Sequence, residues 1–306
     1  MSGDGPLAPD SALVSIVICC YNRARFLPAT LDSALSQDYP HTEIILYDDG
    51  STDDTAQVAA QYGDNIRYVQ RKNLGVARAR TAACQEARGQ YIAFLDDDDL
   101  MPPSRISLLF KALQAHPTAK FAVGELAWID EHDAVIQTPN LNNKTTTVMD
   151  AYRAVLWPEV PATVHTTLFR REDGEAIDWF DHDFHGAGED KDFFARLGCG
   201  AKLVYVPEVV SLYRRGHASL TADTPMRVLD AQMQIFSKVL SVPVDQQLQA
   251  RMHYRQKITL RQAAQQDLKA AQEMHKRWLQ SLPHSIRLDF YLFAIKQRLK
   301  ALLKRS

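Results

Sequence analysis

Through its first hundred residues the chain alternates between two hydrophobic periods, and that alternation limits its fold more than any other feature. LVSIVICC (13–20) is a continuous apolar, β-branched run, which suits a strand buried on both faces. FLPATLDSALSQ (26–37) has helical spacing instead, with Phe26, Leu27, Thr30, Leu31, Ala34 and Leu35 on one side. EIILYDD (43–49) predicts a second buried strand. DDTAQVAAQYG (53–63) predicts a helix, with Asp53 and Asp54 in its first turn and Gly63 near its end. IRYVQ (66–70) predicts a short strand, VARARTAACQEARG (76–89) an Ala-rich helix, and YIAFL (91–95) another strand. Strands alternating with helices predict an α/β fold, a mostly parallel sheet flanked by helices and joined by right-handed crossovers. Sheets of this kind bind ligands beyond the carboxyl ends of their strands.

Three of these strands end in polar clusters. The first runs into Cys20, Tyr21, Asn22 and Arg23, and the second into Asp48, Asp49, Gly50 and Ser51. The last runs into four aspartates, Asp96 to Asp99. If the strands are parallel neighbours, the clusters converge on one edge.

The pattern loosens after residue 103. ISLLFKALQAH (106–116) predicts a helix and KFAVGELAWID (120–130) a strand, and 131–148 reads as loop or hairpin. VHTTLFRRE (164–172) suits a strand turning into a helix. EDKDFFARLG (189–198) suits an amphipathic helix with Phe193, Phe194 and Leu197 on one face. AKLVYVPEVVSLYRR (201–215) reads as a strand broken at Pro207. From about 223 onward the chain reads as successive helices with breaks at Pro243 and Pro283.

Composition narrows the partner classes. Thirty-five Lys and Arg against 37 Asp and Glu give a net charge of -2, which does not suggest a nucleic-acid binder held by a basic surface. Cys19, Cys20, Cys84 and Cys199 form no C-x-x-C pair, which argues against a zinc site and a disulfide scaffold and for reduced cysteines in a cytosolic protein. MSGDGPLAPDSA (1–12) lacks the basic and apolar regions of a signal peptide and predicts a disordered lead-in. No run reaches the roughly 18 apolar residues that span a bilayer. The predicted location is cytoplasmic, at most peripheral on the inner face of the membrane.

The four aspartates in AFLDDDDLMPP (93–103) need an explanation. One can cap the following helix, most easily Asp99, and a charge run is often a solvated loop. Neither accounts for three more, because crowded carboxylates repel and raise one another's pKa. A divalent cation removes that repulsion, and Mg²⁺ and Mn²⁺ favour carboxylate oxygens together with substrate phosphates. Tyr21, directly after a strand, can offer its ring to a base, and Asp49 can accept an N–H from a pyrimidine. Each alone is equally well explained by core packing or by the turn chemistry of Asp-Gly-Ser-Thr-Asp.

Together these segments are more specific. SIVICCYNR, ILYDDGSTDDT and NLGVARARTAACQEARGQYIAFLDDDD resemble the three N-terminal motifs of the family 2 glycosyltransferases, which have the GT-A fold. GEDKDFFARL (188–197) and VPEVVSLYRRGHASLT (206–221) resemble two further motifs, so the likeness runs over about 13–221 in the expected order. Thr81 and Ala83 stand where the family usually has Asn and Gly.

The resemblance implies a GT-A domain over 13–222, with a nucleotide-binding half (13–100) and an acceptor half (101–222), then a helical C-terminal region (223–306). It implies an inverting transfer of sugar from a nucleotide donor, commonly a UDP-sugar, to a hydroxyl of a glycan or lipid-linked acceptor. Tyr21, Asn22, Arg23 and Asp49 would hold the nucleotide, with Tyr21 stacking and Asp49 facing the uracil. Arg78 and Arg80 would contact phosphate, although either can instead form a salt bridge on a helix face. Asp96 and Asp98 match the D-x-D, with Asp98 and Asp96 at the Mn²⁺ or Mg²⁺ and Asp96 or Asp97 toward the ribose or donor sugar. His217 is a further candidate for metal or phosphate, although a lone loop His is often simply solvated. Asp190 would be the general base, because such a transfer needs a carboxylate opposite the leaving diphosphate. Glu189 would contact the acceptor or orient the site. The bland reading of that pair is the acidic first turn of a helix. His165, Trp179 and His185 are candidates to line the acceptor pocket, and Trp157 is assigned to core packing.

SIRLDFYLFAIKQRLKALLKRS (285–306) carries an apolar stripe beside several basic residues. It can lie on anionic lipid as an interfacial helix, or pack on the catalytic domain or on a second subunit. Two rival functions remain. A nucleotidyltransferase needs a Gly-rich phosphate loop after the first strand, and CCYNRARF has no glycine. A module that binds sugar nucleotide without turnover would not need Asp96, Asp98 and Asp190 intact.

Overall fold

The computed structural model describes residues 12–142, 144–184, 187–216, 225–241, 246–278, 282–288, 290 and 292–294. Two compact units form: Met1–His185 with Glu189–His217, and Gly186–Gly188 with Ala218–Ser306.

The first unit begins with β1 (Val14–Cys20), α1 (Leu27–Leu35), β2 (Thr42–Asp48), α2 (Thr55–Ala60), β3 (Arg67–Gln70), α3 (Val76–Glu86), β4 (Tyr91–Asp96) and α4 (Arg105–Ala115). There follow β5 (Ala119–Ile129), β6 (Val135–Gln137), β7 (Thr147–Asp150), α5 (Ala151–Leu156), β8 (Thr167–Arg170), α6 (Arg171–Ala176), α7 (Glu189–Leu197) and β9 (Lys202–Arg214). One sheet takes all nine strands in the order β3-β2-β1-β4-β8-β5-β9-β7, with β6 paired to β5. The strands β3, β2, β1 and β4 run parallel.

The apolar runs explain that half. Val14, Ile16, Ile18 and Cys20 of β1 share a buried cluster with Leu27 and Leu31 of α1 and Ile106, Leu109 and Leu113 of α4. Val17 between them is also fully buried, so β1 is covered on both faces. Each such side chain contributes roughly 1.5–3 kcal/mol of burial free energy. Proline in the first turn of α1 loses no hydrogen bond there.

The second half departs from simple alternation. The short β8, formed late in the chain, inserts antiparallel between β4 and β5, with Phe169 opposite both Ile92 and Phe121. The expected break at Pro207 is absent, because β9 runs unbroken for 13 residues. Its register against β5 slips between Tyr205 and Val209, so Pro207 falls in a bulge where its missing N–H removes no ladder bond. The predicted loop or hairpin at 131–148 contains β6 and leads into β7, which pairs with β9. The helix expected over 53–63 ends at Ala60, and a 3-10 turn follows at Gly63–Asn65.

The second unit contains α8 (Pro225–Leu240), α9 (Gln246–Gln266), α10 (Leu268–Trp278) and helical residues at 284–288, 290 and 292–294. Leu229, Met233, Leu260, Ala263, Met274, Ile286 and Phe290 form its core. Asp230 ties α8 to α10 by accepting from Trp278 Nε1 at 2.9 Å and pairing with Arg277. Leu288 and Leu292 are exposed at 52% and 59%. Pro243 and residues 295–306 lie outside the described residues, and with them most of the basic stripe considered for lipid contact. No helix among the described residues is long and apolar enough to cross a membrane.

Candidate active site

The parallel register brings three polar strand ends together. Cys19 of β1 faces Tyr47 of β2 on one side and Asp96 of β4 on the other. The next residues therefore meet: the Tyr21 N–H donates to Asp97 Oδ2 at 3.1 Å, leaving the ring 48% exposed. Asn22 takes a left-handed backbone (φ 55°), a conformation that Asn tolerates better than most residues. It donates its N–H to Ser51 Oγ at 2.9 Å and accepts from the Thr52 N–H at 2.8 Å. Arg23 Nε lies 3.6 Å from Asp98 Oδ2 and 3.9 Å from Asp97 Oδ1.

At the end of β2, Asp48 is fully buried and accepts from Ser51 N–H, Tyr68 Oη and Gln70 Nε2. Asp49 accepts from the N–H groups of Leu74 at 2.8 Å and Gly75 at 3.0 Å. Burial raises its pKa and those two bonds oppose the rise. Asp49, expected to face a uracil, therefore also latches the loop that leads into α3. Gly50 between these elements has φ 82°, and a Cβ there would come within 2.8 Å of Asn73 N. The turn needs glycine on both counts.

The four aspartates take four environments. Asp96 Oδ1 accepts from Arg80 Nη2 at 2.8 Å, and Oδ2 lies 3.1 Å from His165 Nδ1. Burial works to raise the Asp96 pKa, but Arg80 and His165 hold it below the usual carboxylate range. Asp97 takes the Tyr21 N–H, yet burial and the charge of Asp98 push it well up. Asp98 is 15% exposed at its side chain, beside Arg23. Asp99 is fully buried, accepts from the Arg214 N–H at 2.8 Å through Oδ1, and has no hydrogen-bond partner on Oδ2. Burial, then the charges of Asp96 and Asp98, push Asp99 well up. The suggestion that Asp99 caps the next helix is corrected: α4 begins beyond Ser104, and the Asp99 carboxylate turns to the β9 backbone.

Cations balance this acid from below and beside. Arg214, 3% exposed, donates to Asp98 O at 2.7 Å and Asp130 O at 2.9 Å and pairs with Asp133. Arg105, wholly buried, donates to Phe94 O at 2.8 Å. Burial brings the Arg105 guanidinium down to about 9, against the pull of Asp96 and Asp99.

Arg80 carries the link to α7. Its Nη1 donates to Glu189 Oε1 at 2.5 Å while Nη2 holds Asp96. Of the two open readings of Arg80, the structure shows the ion pair. Arg78, on the same helix, is exposed. Burial raises the Glu189 pKa, Arg80 opposes this, and the charge of Asp190 adds to it. Asp190 is half-buried in the acidic first turn of α7 and accepts from the Lys191 N–H at 2.7 Å. Thr81, at the usual Asn position, lies 3.3 Å from His182 Nε2.

Of the acceptor candidates the structure describes His165 and Trp179. His165 is 7% exposed, beside Asp96, with its ring stacked on Tyr213 at 5.3 Å. Trp179 is 5% exposed, and a Cβ on Gly174 would come within 2.4 Å of its ring. Trp179 is a packing residue in this fold. His185 and His217 lie outside the described residues. Arg105, Tyr213 and Arg214 were given no role from the sequence, and Asp99 was read only as a cap. The available signal was electrostatic: four adjacent acids at a strand end require buried cations.

The donor set suits a hard divalent cation. Asp96, Asp99 and His165 offer ligand atoms all within 4.8 Å of one another. This trio shares only Asp96 with the set suggested by the motifs, and Arg80 and His165 already engage both Asp96 oxygens. Asp98, 15% exposed at its side chain, is a further carboxylate of the same turn. A buried carboxylate oxygen without a hydrogen bond, among charges that raise one another's pKa, is the environment a cation relieves.

The family model for glycosyl transferase family 2 matches residues 15–175. The chain belongs to family 2. Over 96 residues it is 41% identical to an uncharacterized glycosyltransferase of Rickettsia prowazekii, spanning 31% of this chain and 30% of that protein. Over 97 residues it is 47% identical to the UDP-Glc:alpha-D-GlcNAc-diphosphoundecaprenol beta-1,3-glucosyltransferase WfaP of Escherichia coli, spanning 31% of this chain and 39% of that protein. The matches thus span less than two fifths of either relative. Among solved structures, Staphylococcus aureus TarS 1-349 in complex with UDP-GlcNAc superposes with a TM-score of 0.71 at 16% identity, covering 89% of this chain and 82% of that one. The mannosyltransferase PcManGT from Pyrobaculum calidifontis, in complex with GDP-Man and Mn²⁺, gives 0.56 at 20% identity, covering 96% and 88%. At these identities the likeness is one of fold.

Proposed function

We propose that this family 2 member is an inverting glycosyltransferase that takes a sugar from a UDP donor to a hydroxyl of a glycan or lipid-linked acceptor. The observation that carries the reading is the single chain of contacts from Tyr21 through Asp97 and Asp96 to Arg80 and Glu189. It ties the nucleotide end of the sheet to the helix that bears Asp190. The names of WfaP and of the TarS complex, both of which cite UDP-sugars, support a UDP donor.

The exposed Tyr21 ring stacks on the base, and the turn around Asp49 forms the floor of that pocket. Asp98, with Asp96, would hold Mn²⁺ or Mg²⁺, which when bound neutralises the charge that builds on the departing diphosphate. Asp190 accepts the proton of the attacking acceptor hydroxyl. The hydroxyl oxygen bonds to the anomeric carbon from the opposite face, and the bond to the diphosphate oxygen breaks with its electron pair leaving on UDP. Glu189, fixed by Arg80, keeps the first turn of α7 in place for that step. Calorimetry of UDP binding with and without Mn²⁺ tests the donor side: the account expects saturable binding that strengthens with the metal, and absence of UDP binding contradicts it.

A further inference from the structure

We infer that Arg215, set over the ring of Trp128 beside Tyr213, is an anion-binding subsite for the diphosphate of a lipid-linked acceptor. The inference rests on the transferase reading above and gives its acceptor a charge class. Trp128 of β5 is paired with Tyr213 of β9, and laterally paired residues project from the same face of a sheet. Arg215 follows two residues later, about 7 Å along the strand direction. Its N–H continues the ladder by donating to Ile129 O at 2.8 Å. The Arg215 guanidinium lies 4.3 Å from the centre of the Trp128 ring. On the other side of Tyr213, His165 stacks at 5.3 Å and reaches Asp96 at 3.1 Å. One row therefore leads from the aspartates outward: His165, Tyr213, then Trp128 under Arg215.

The chemistry of that row is specific. A guanidinium stacked on an indole keeps its N–H edge free in the ring plane, and two parallel donors match phosphate oxygens. Arg215 is exposed, and no carboxylate among the described residues lies within ion-pair distance of it. The neighbouring Arg214 differs: it is buried and fully engaged with Asp98 O, Asp130 O and Asp133. Stacking on Trp128 also reduces the rotamer freedom that binding would otherwise remove.

The probe is geranyl diphosphate, titrated into the full chain saturated with UDP so that the donor site is filled, with geraniol as the uncharged control. The wild type is expected to bind geranyl diphosphate saturably and geraniol at least tenfold more weakly. Arg215→Gln is expected to weaken geranyl diphosphate at least tenfold with UDP affinity unchanged, the size of one lost charge-assisted contact. Arg215→Lys, which keeps the charge but loses the two-donor fork, should recover only part of that loss. Arg215→Gln binding like the wild type overturns the subsite, as does equal affinity of the wild type for geraniol. A wild-type chain that fails to bind UDP contradicts the donor reading instead, so the two failures are separable.

Discussion

Arg80 and Glu189 meet at 2.5 Å although 109 positions separate them in the chain. The same guanidinium holds Asp96 at 2.8 Å, so the aspartate turn and the acidic start of α7 share one buried cation. Arg80→Gln leaves Glu189, 7% exposed, without its countercharge. Breaking a buried pair from one side costs about 3–5 kcal/mol. Thermal melts of Arg80→Gln should show that loss, and UDP-sugar turnover should fall at least about a hundredfold through misplacement of Asp190. Arg80→Lys should not restore turnover, because one ammonium cannot fork to two carboxylates. Wild-type melting and turnover in Arg80→Gln would contradict this link.

Asp98 lies beside Arg23, with its side chain 15% exposed. Asp98→Asn should abolish the strengthening of UDP binding by Mn²⁺ while leaving the melting temperature within a few degrees. A titration of Mn²⁺ at fixed UDP measures it. Equal metal dependence in the variant would move the metal to other carboxylates.

Trp179 fills the space beside Gly174. Trp179→Ala should therefore destabilise the first unit by about 3–5 kcal/mol, as large cavities in cores do. Denaturant titration reads this. A stable variant with weakened acceptor affinity would return Trp179 to the acceptor pocket.

In the C-terminal unit, His275 is 2% exposed, with its ring stacked on Phe290 at 4.5 Å. Burial, aided by the charge of Arg287, lowers its pKa below the usual value. Below about pH 6.5 the unfolded chain binds a proton that the folded His275 resists. Its contribution is thus intact above that pH and is lost as pH falls through it, at up to about 1.4 kcal/mol per pH unit. The difference in stability between wild type and His275→Gln should shrink between pH 7.5 and 5.5; a constant difference contradicts the assignment.

Local pattern made the parallel half legible. The run LVSIVICC reads as a strand covered on both faces, and it lies between β2 and β4 in the sheet. The insertion of β8 beside β4 was not legible, because nothing in TLFR specifies a partner some 75 residues upstream. Pro207 misled for a physical reason: the missing N–H ends a regular ladder but is harmless in a bulge. Within the site, Tyr21 and the aspartates were visible from their strand ends. Of the cations that neutralise them only Arg80 was a candidate, since Arg105 and Arg214 arrive from two further elements. His165 lacks a local signal altogether; only the fold places it beside Asp96.

The most direct test follows UDP release from a panel of UDP-sugars in the presence of Mn²⁺, with wild type and Asp190→Asn side by side. The account predicts turnover of at least one UDP-sugar by the wild type and loss of at least about a hundredfold in Asp190→Asn with UDP affinity retained. Equal turnover by both proteins, or none by the wild type with any UDP-sugar, would contradict it.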